Sequence, residues 1–181
     1  MPYSITNIVG KIKLKKQPLE LLCHLPGAKY YPHSRIKAVF LKLSHGSCCI
    51  FRTGTISLMG FKSIDRMRNA IDEIEFLLGD SFQPPDPTLT VANIVCAFKI
   101  SHEVIDLASL WHFLSQKHPG GRVVYEPELN NTLVFNYGET SRILLHSTSS
   151  GIITGVKTEE EIVQMIDYLS VCICECKTLK Q

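Results

Sequence analysis

Residues 60–78, GFKSIDRMRNAIDEIEFLL, return 95 positions later as residues 155–173, GVKTEEEIVQMIDYLSVCI. In the first stretch Ser63 precedes apolar Met67, Ala70, Ile71, Ile74, Leu77 and Leu78. In the second, Thr158 precedes Ile162, Met165, Ile166, Leu169, Cys172 and Ile173. Both series follow the i, i+3, i+4, i+7 stripe of an amphipathic helix. Thr158 and Glu161 have the spacing of a capping box, which sets where the second helix starts.

The same shift pairs Tyr30 with Tyr125, Pro32 with Pro127, Val39-Phe40 with Val134-Phe135, and Ile71-Asp72 with Ile166-Asp167. Upstream, Thr6-Asn7-Ile8-Val9 matches Ala92-Asn93-Ile94-Val95 at a shift of 86, so the second copy carries nine extra residues before its tyrosine. They fall in the helical stretch around Glu103 to Ser115. The chain therefore reads as two copies of one unit, residues 5–85 and 89–176, joined by Gln83-Pro84-Pro85-Asp86-Pro87. So short a linker favours copies that share one continuous sheet.

Within a copy the alternation predicts a strand over Ile5–Leu14, a short helix over Pro18–His24, and strands near Ala28–Tyr31, Ile36–Leu43, Ser47–Arg52 and Thr55–Gly60. The long helix follows from Ile64. Gly46 and Gly54 supply turns. The unit is an antiparallel sheet with helices on one side. Ile8, Ile12, Ile50, Ile56 and Leu58 face the helices, so Val9, Cys49, Phe51, Ser57 and Met59 face the other way. Val95, Leu144, Ile152 and Thr154 repeat this in the second copy. An uncovered sheet face, apolar to small-polar and almost without charge, is a binding surface, or else the seam of a homodimer or of a second packed layer.

Composition limits the function classes. The chain has 181 residues, 45% hydrophobic and 20% charged, enough for a compact core. No run reaches the roughly 20 apolar residues of a membrane helix. Lysines follow the short apolar run at the amino terminus, the wrong order for a secretory signal, and an intracellular protein is expected. Seven cysteines include no CxxC pair, and Cys172 and Cys176 share a helix face, so buried apolar cysteine is expected and no metal. The histidines are scattered without metal spacing, no phosphate-cradling loop is present, and no nucleophile sits in an elbow. Trp111-His112, beside Val104, Leu107, Leu110 and Leu114, reads as packing. No enzyme and no cofactor are expected.

The two-copy design, the paired Asn-Ile-Val strands, Gly-x-Lys entering each long helix and Tyr125-Glu126-Pro127-Glu128-Leu129 together resemble the core of the TATA-box-binding protein family. The resemblance runs from about Ile5 to Cys176. It implies an α+β fold, two pseudo-symmetric repeats in one curved ten-stranded antiparallel sheet, a saddle with four helices on the convex face. It also implies a general transcription initiation factor that binds double-stranded promoter DNA in the minor groove, inside a nucleus, and recruits transcription factor IIB and RNA polymerase.

On that resemblance the DNA-facing residues are Asn7, Val9, Ile36, Phe51, Thr53, Ser57 and Met59 in the first copy. In the second they are Asn93, Val95, Leu144, His146, Thr148, Ile152 and Thr154. Lys42, Arg52, Lys62 and Lys157 are candidate phosphate contacts, each equally readable as a solvated surface residue. Glu126, Glu128 and Leu129 are the partner-binding residues for transcription factor IIB. The mixed charges of Asp65 to Glu75 depart from the basic face that the family offers to transcription factor IIA.

A larger departure concerns the phenylalanine pairs that the family inserts between base steps, for which this family is a standard example. Phe51 matches one wedge and Ile36, or Arg35 beside it, the other. In the second copy those positions read Asn130 or Asn131, and His146. Charge divides likewise, +5 over residues 1–86 and −3 over 87–181, so the first copy is expected to grip phosphates better. The alternative function is a family paralogue acting mainly as a protein-interaction scaffold. An apolar face of this kind could also pair with itself when DNA is absent.

Overall fold

The computed structural model describes residues 3–16, 19–31, 33, 35, 37–82 and 86–178. The chain runs twice through one order of elements. The first pass is β1 (Tyr3–Lys13), α1 (Leu19–Leu22), β2 (Lys29–Tyr30), β3 (Ala38–Leu43), β4 (Gly46–Phe51), β5 (Thr55–Phe61) and α2 (Ile64–Leu78). The second is β6 (Asp86–Lys99), α3 (Leu107–Lys117), β7 (Val123–Glu126), β8 (Asn130–Asn136), β9 (Arg142–His146), β10 (Ser150–Val156) and α4 (Glu159–Thr178). All registered strand pairs are antiparallel. Among the described residues, ten strands and four α-helices make the expected α+β protein. The chain divides into two compact units, residues 6–93 and residues 1–5 with 94–181.

In the unit of residues 6–93 the strand order is β2, β3, β4, β5, β1. Its core lies on one sheet face, where Ile8, Ile12, Val39, Leu41, Ile50, Ile56 and Leu58 are all buried and Met67, Ala70, Ile74 and Leu78 of α2 cover them. Each large apolar side chain buried there contributes about 1.5–3 kcal/mol. The helix begins where Ser63 Oγ accepts the N–H of Arg66 at 3.2 Å.

Two turn expectations separate here. Gly54 (φ +83°) forms the β4–β5 turn, and a Cβ there would lie 2.2 Å from the Leu14 carbonyl oxygen. Gly46, in contrast, is the first residue of β4, and a Cβ on it would press within 2.6 Å of the Phe61 ring. Gly46 is a close-packing glycine and not the turn residue it was expected to be.

In the other unit the order is β7, β8, β9, β10, β6. Ile143, Leu145, Ile153, Phe135 and Cys96 are buried against Ile162, Met165, Ile166, Leu169, Cys172 and Ile173 of α4. The expected capping box is formed, with the N–H of Glu161 donating to Thr158 Oγ1 at 3.2 Å and the N–H of Thr158 donating to Glu161 Oε2 at 3.4 Å. At the edge, His118 Nε2 lies 2.6 Å from the Tyr168 hydroxyl, and both rings pack on Phe135. Burial pushes the Tyr168 hydroxyl up to about 12 and holds the His118 imidazole below its ordinary range.

Of the nine extra residues of the second copy, seven lengthen the helix, from 4 residues in α1 to 11 in α3, and two lengthen the connection before it. The helix starts later than Glu103 because Asp106 Oδ1 accepts the N–H groups of Ala108 and Ser109 and caps it. Val104 is therefore outside the helix and exposed, and Trp111 is 40% exposed, off the buried stripe of Leu107, Leu110 and Leu114.

The strand registers also correct the 95-residue alignment at one place. Val39 pairs with Ile50 on the helix-covered face, whereas Val134 pairs with Leu144 on the open one. The counterpart of Val39 is Leu133, which pairs with Leu145. The repeat shift is 94 in this strand because the connection before β3 is longer by one residue. Asp86 and Pro87, expected in the linker, open β6, where a proline at the start of a strand removes no required ladder bond. Gln83 to Pro85, Pro18 and Ile36 lie outside the described residues.

Candidate nucleic-acid interface

Strand pairing places Phe40, Cys49, Ser57 and Lys11 in one row across the helix-free face of the unit of residues 6–93. Lys42, Ser47 and Met59 form the next row, and Ala38 stands opposite Phe51 at the strand end. Asn7 and Val9 continue this face along β1, since Ile8, Gly10 and Ile12 alternate with them and are buried. Asn7 Oδ1 accepts the backbone N–H of Gly60 at 2.8 Å, so the carboxamide is held by its oxygen and its NH2 remains a donor. Burial pushes the Cys48 thiol up to about 12 and raises that of Cys49, so neither is a ready nucleophile.

The unit of residues 94–181 carries the corresponding row Val124, Val134, Leu144, Ile152 and Ala97. Thr132 and His146 face each other one pair along, and Asn136, Arg142 and Thr154 one pair the other way. Val95 lies between buried Ile94 and Cys96 and so turns to this face. Asn93 is half-buried. The turns at the two strand ends match in detail. Thr53 Oγ1 donates to Thr55 Oγ1 at 3.3 Å, and Thr148 Oγ1 and Ser150 Oγ are 2.7 Å apart.

Where the first turn has Gly54, the second has Ser149 (φ +61°), fully buried. Its hydroxyl donates to the Glu103 carbonyl and accepts from Ser101 Oγ.

The charge on the strands is one-sided. Lys11, Lys13, Lys29, Lys42, Lys99 and Arg142 lie within the ten strands, against only Asp86 and Glu126 among the acids, each at a strand end. Such an excess of positive charge attracts a polyanion. Lys11 and Lys13 are phosphate candidates that sequence reading missed. Their alternation with Ile12 was the signal that could have shown them. Of those it proposed, Lys42, Lys62 and Lys157 are exposed. Arg52 is committed elsewhere, its Nη2 donating to Glu20 Oε1 at 2.5 Å.

The sequence profile of the family described as "Transcription factor TFIID (or TATA-binding protein, TBP)" matches residues 2–79 and 88–176. The chain belongs to the TATA-binding protein family. The TATA-box-binding protein of Pyrobaculum calidifontis is 30% identical over 174 residues, covering 92% of this chain and 83% of the relative. TATA-box-binding protein 2 of Haloferax volcanii is 33% identical over 178 residues, with 91% and 93% covered. The solved Methanococcus jannaschii TATA-binding protein superposes with a TM-score of 0.78 at 23% identity, covering 97% of this chain and 99% of that one. The fold is thus the α+β fold of that family. The chain is a member of a family of transcription factors and not of enzymes.

Within the TATA-binding protein fold, Phe51 ends β4 half-buried. Ala38 stands opposite Phe51 as Thr132 stands opposite His146. Two residues before Thr132 is Asn130, whereas Ile36, two before Ala38, lies outside the described residues. Asn131 accepts from the Tyr125 hydroxyl at 3.0 Å. The Tyr125–Leu129 segment leaves β7 in a turn closed by the Leu129 N–H donating to the Glu126 carbonyl. Glu126 and Glu128 are exposed, and Leu129 is 82% exposed. Among the described residues no helix is long and apolar enough to cross a membrane, and no group of three metal-ligating side chains comes together.

Proposed function

We propose that this chain binds A·T-rich promoter DNA in the minor groove and recruits a transcription factor IIB-like protein and RNA polymerase, working in the nucleus. The observation that carries the reading is the helix-free sheet face, apolar across its rows, with lysines and without carboxylates beside them. An A·T minor groove presents acceptors only, which the NH2 of Asn7 can meet, while a flat apolar face excludes the guanine amino group. Val9, Ser57 and Met59 form that surface in one unit and Val95, Leu144, Ile152 and Thr154 in the other, and Phe51 is the wedge. Asn93, Thr53 and Thr148 complete the contacts, with Lys11, Lys13, Lys42, Lys62 and Lys157 at phosphates.

The exposed Glu126, Glu128 and Leu129 on a proline-fixed turn suit a basic partner with an apolar socket. Fluorescence anisotropy on an A·T-rich and a scrambled G·C-rich duplex, over a salt series and with Phe51→Ala alongside, tests the DNA reading. Tight, salt-sensitive, A·T-preferring binding that the substitution weakens supports it. Equal weak binding to both duplexes, unchanged by Phe51→Ala, overturns it and leaves a protein scaffold that depends on Glu126 and Glu128.

A further inference from the structure

The second unit ends its open face in a polar chain where the first has Phe51. Thr132 Oγ1 donates to Asn130 Oδ1 at 2.9 Å and lies 3.1 Å from His146 Nδ1. Thr132 is 5% exposed, so water does not replace these contacts, whereas Asn130 and His146 are exposed.

A hydroxyl has one proton, and that of Thr132 is given to Asn130. The contact with His146 therefore requires Nδ1–H to donate. In the neutral imidazole this fixes the tautomer and leaves Nε2 as an outward acceptor. Asn130, whose oxygen is turned to the Thr132 hydroxyl, has the two donors of its NH2 left to offer.

We infer that Asn130 and His146 form a subsite for a G·C base pair in the minor groove, His146 Nε2 accepting the guanine 2-amino group. This rests on the DNA-binding reading above. The argument is one of complementarity. An A·T or T·A edge offers acceptors alone, so Nε2 would meet a lone pair with a lone pair. Guanine adds the one donor of the minor groove, flanked by its own N3 and the cytosine O2, both acceptors for the Asn130 NH2. Among the described residues the unit of residues 6–93 has Phe51 and no such chain, so the guanine is accepted by the unit of residues 94–181 and not by the other.

The test uses the full chain and an A·T-rich duplex in which one G·C pair is walked through each position. Each duplex is compared with its inosine·C counterpart, which lacks only the 2-amino group. At one position G·C binds about twofold to tenfold tighter than inosine·C, the range of one neutral hydrogen bond. His146→Phe and Thr132→Val abolish that preference, read as the ratio of G·C to inosine·C affinity. Inosine·C binding as well as or better than G·C at every position overturns the inference and leaves the DNA reading standing, as does a preference that survives both substitutions. Absence of binding to every duplex overturns the DNA reading and this subsite with it.

Discussion

The side-chain oxygen of Asn7 accepts the backbone N–H of Gly60 at 2.8 Å, where the pairing of β1 with β5 shifts register between Ile8 and Gly10. One carboxamide thus closes a bulge with its oxygen and offers its nitrogen outward. The two jobs separate by substitution. Asn7→Asp keeps the acceptor for Gly60 and loses the donor, so stability holds while affinity for A·T-rich DNA falls at least about fivefold, the lower end for a lost base contact. Asn7→Ala loses both and costs a further ~1 kcal/mol of stability. Urea melts beside anisotropy titrations read the two effects, and a stable Asn7→Asp protein with unchanged DNA affinity would remove Asn7 from the interface.

Ser149 holds a left-handed backbone that Gly54 holds without cost in the other repeat. The conformation costs a residue with a Cβ roughly 1–2 kcal/mol. Its hydroxyl offsets this by bonding the Glu103 carbonyl and Ser101 Oγ inside a fully buried turn. Ser149→Ala retains the strain and loses both bonds, a loss of ~1–3 kcal/mol. Ser149→Gly loses the bonds but relieves the backbone, and is milder by about 1 kcal/mol. Denaturant unfolding of the pair checks the order; Ser149→Gly as unstable as Ser149→Ala would mean that strain plays no part.

The repeat was legible because its long helices keep an apolar stripe and a cap at one register, Ser63 with Met67 to Leu78 and Thr158 with Ile162 to Ile173. Facing was legible wherever alternation is strict, as at Ile8, Val9 and Ile12. What sequence could not show is what depends on one residue of slip or on a distant partner. The β3 and β8 alignment moved by one because Val39 and Val134 are chemically alike and only their cross-strand partners, Ile50 and Leu144, tell their faces apart. The pairing of Arg52 with Glu20, 32 residues apart, has no local signature. Nor does the chain from Asn130 through Thr132 to His146, which needs β8 and β9 in register before it exists.

His118 makes stability depend on pH in a definite direction. Burial first, then the charges of Arg122 and Lys117, lower its pKa from 6.5. The unfolded chain therefore takes up the proton before the folded one does. The contribution of neutral His118 is complete above about pH 6.5 and is lost progressively as pH falls from there toward the lowered folded value. Once protonated, Nε2 can only donate, so the Tyr168 hydroxyl 2.6 Å away must then accept. The melting temperature of the wild type should fall more steeply between pH 7.5 and 5.5 than that of His118→Gln, which does not titrate. Parallel profiles would show that the imidazole is not the group responsible.

Arg52 and Lys11 should differ in their hold on DNA although both are basic and near the same face. Arg52 is engaged by Glu20, with both side chains 64% exposed, and a surface pair of this kind contributes about 0–1 kcal/mol to stability. Its guanidinium must leave that carboxylate to reach a phosphate, and the carboxylate stays nearby to repel the backbone. Lys11 stands opposite Ser57 within the carboxylate-free rows. Lys11→Ala should therefore flatten the slope of log affinity against log salt by about 1, the share of one phosphate contact, whereas Arg52→Ala changes it little. Glu20→Gln should steepen the slope by about 1 as Arg52 is released to the DNA, with the melting temperature nearly unchanged. A large loss of slope in Arg52→Ala with Glu20 intact would show that DNA already outcompetes the ion pair.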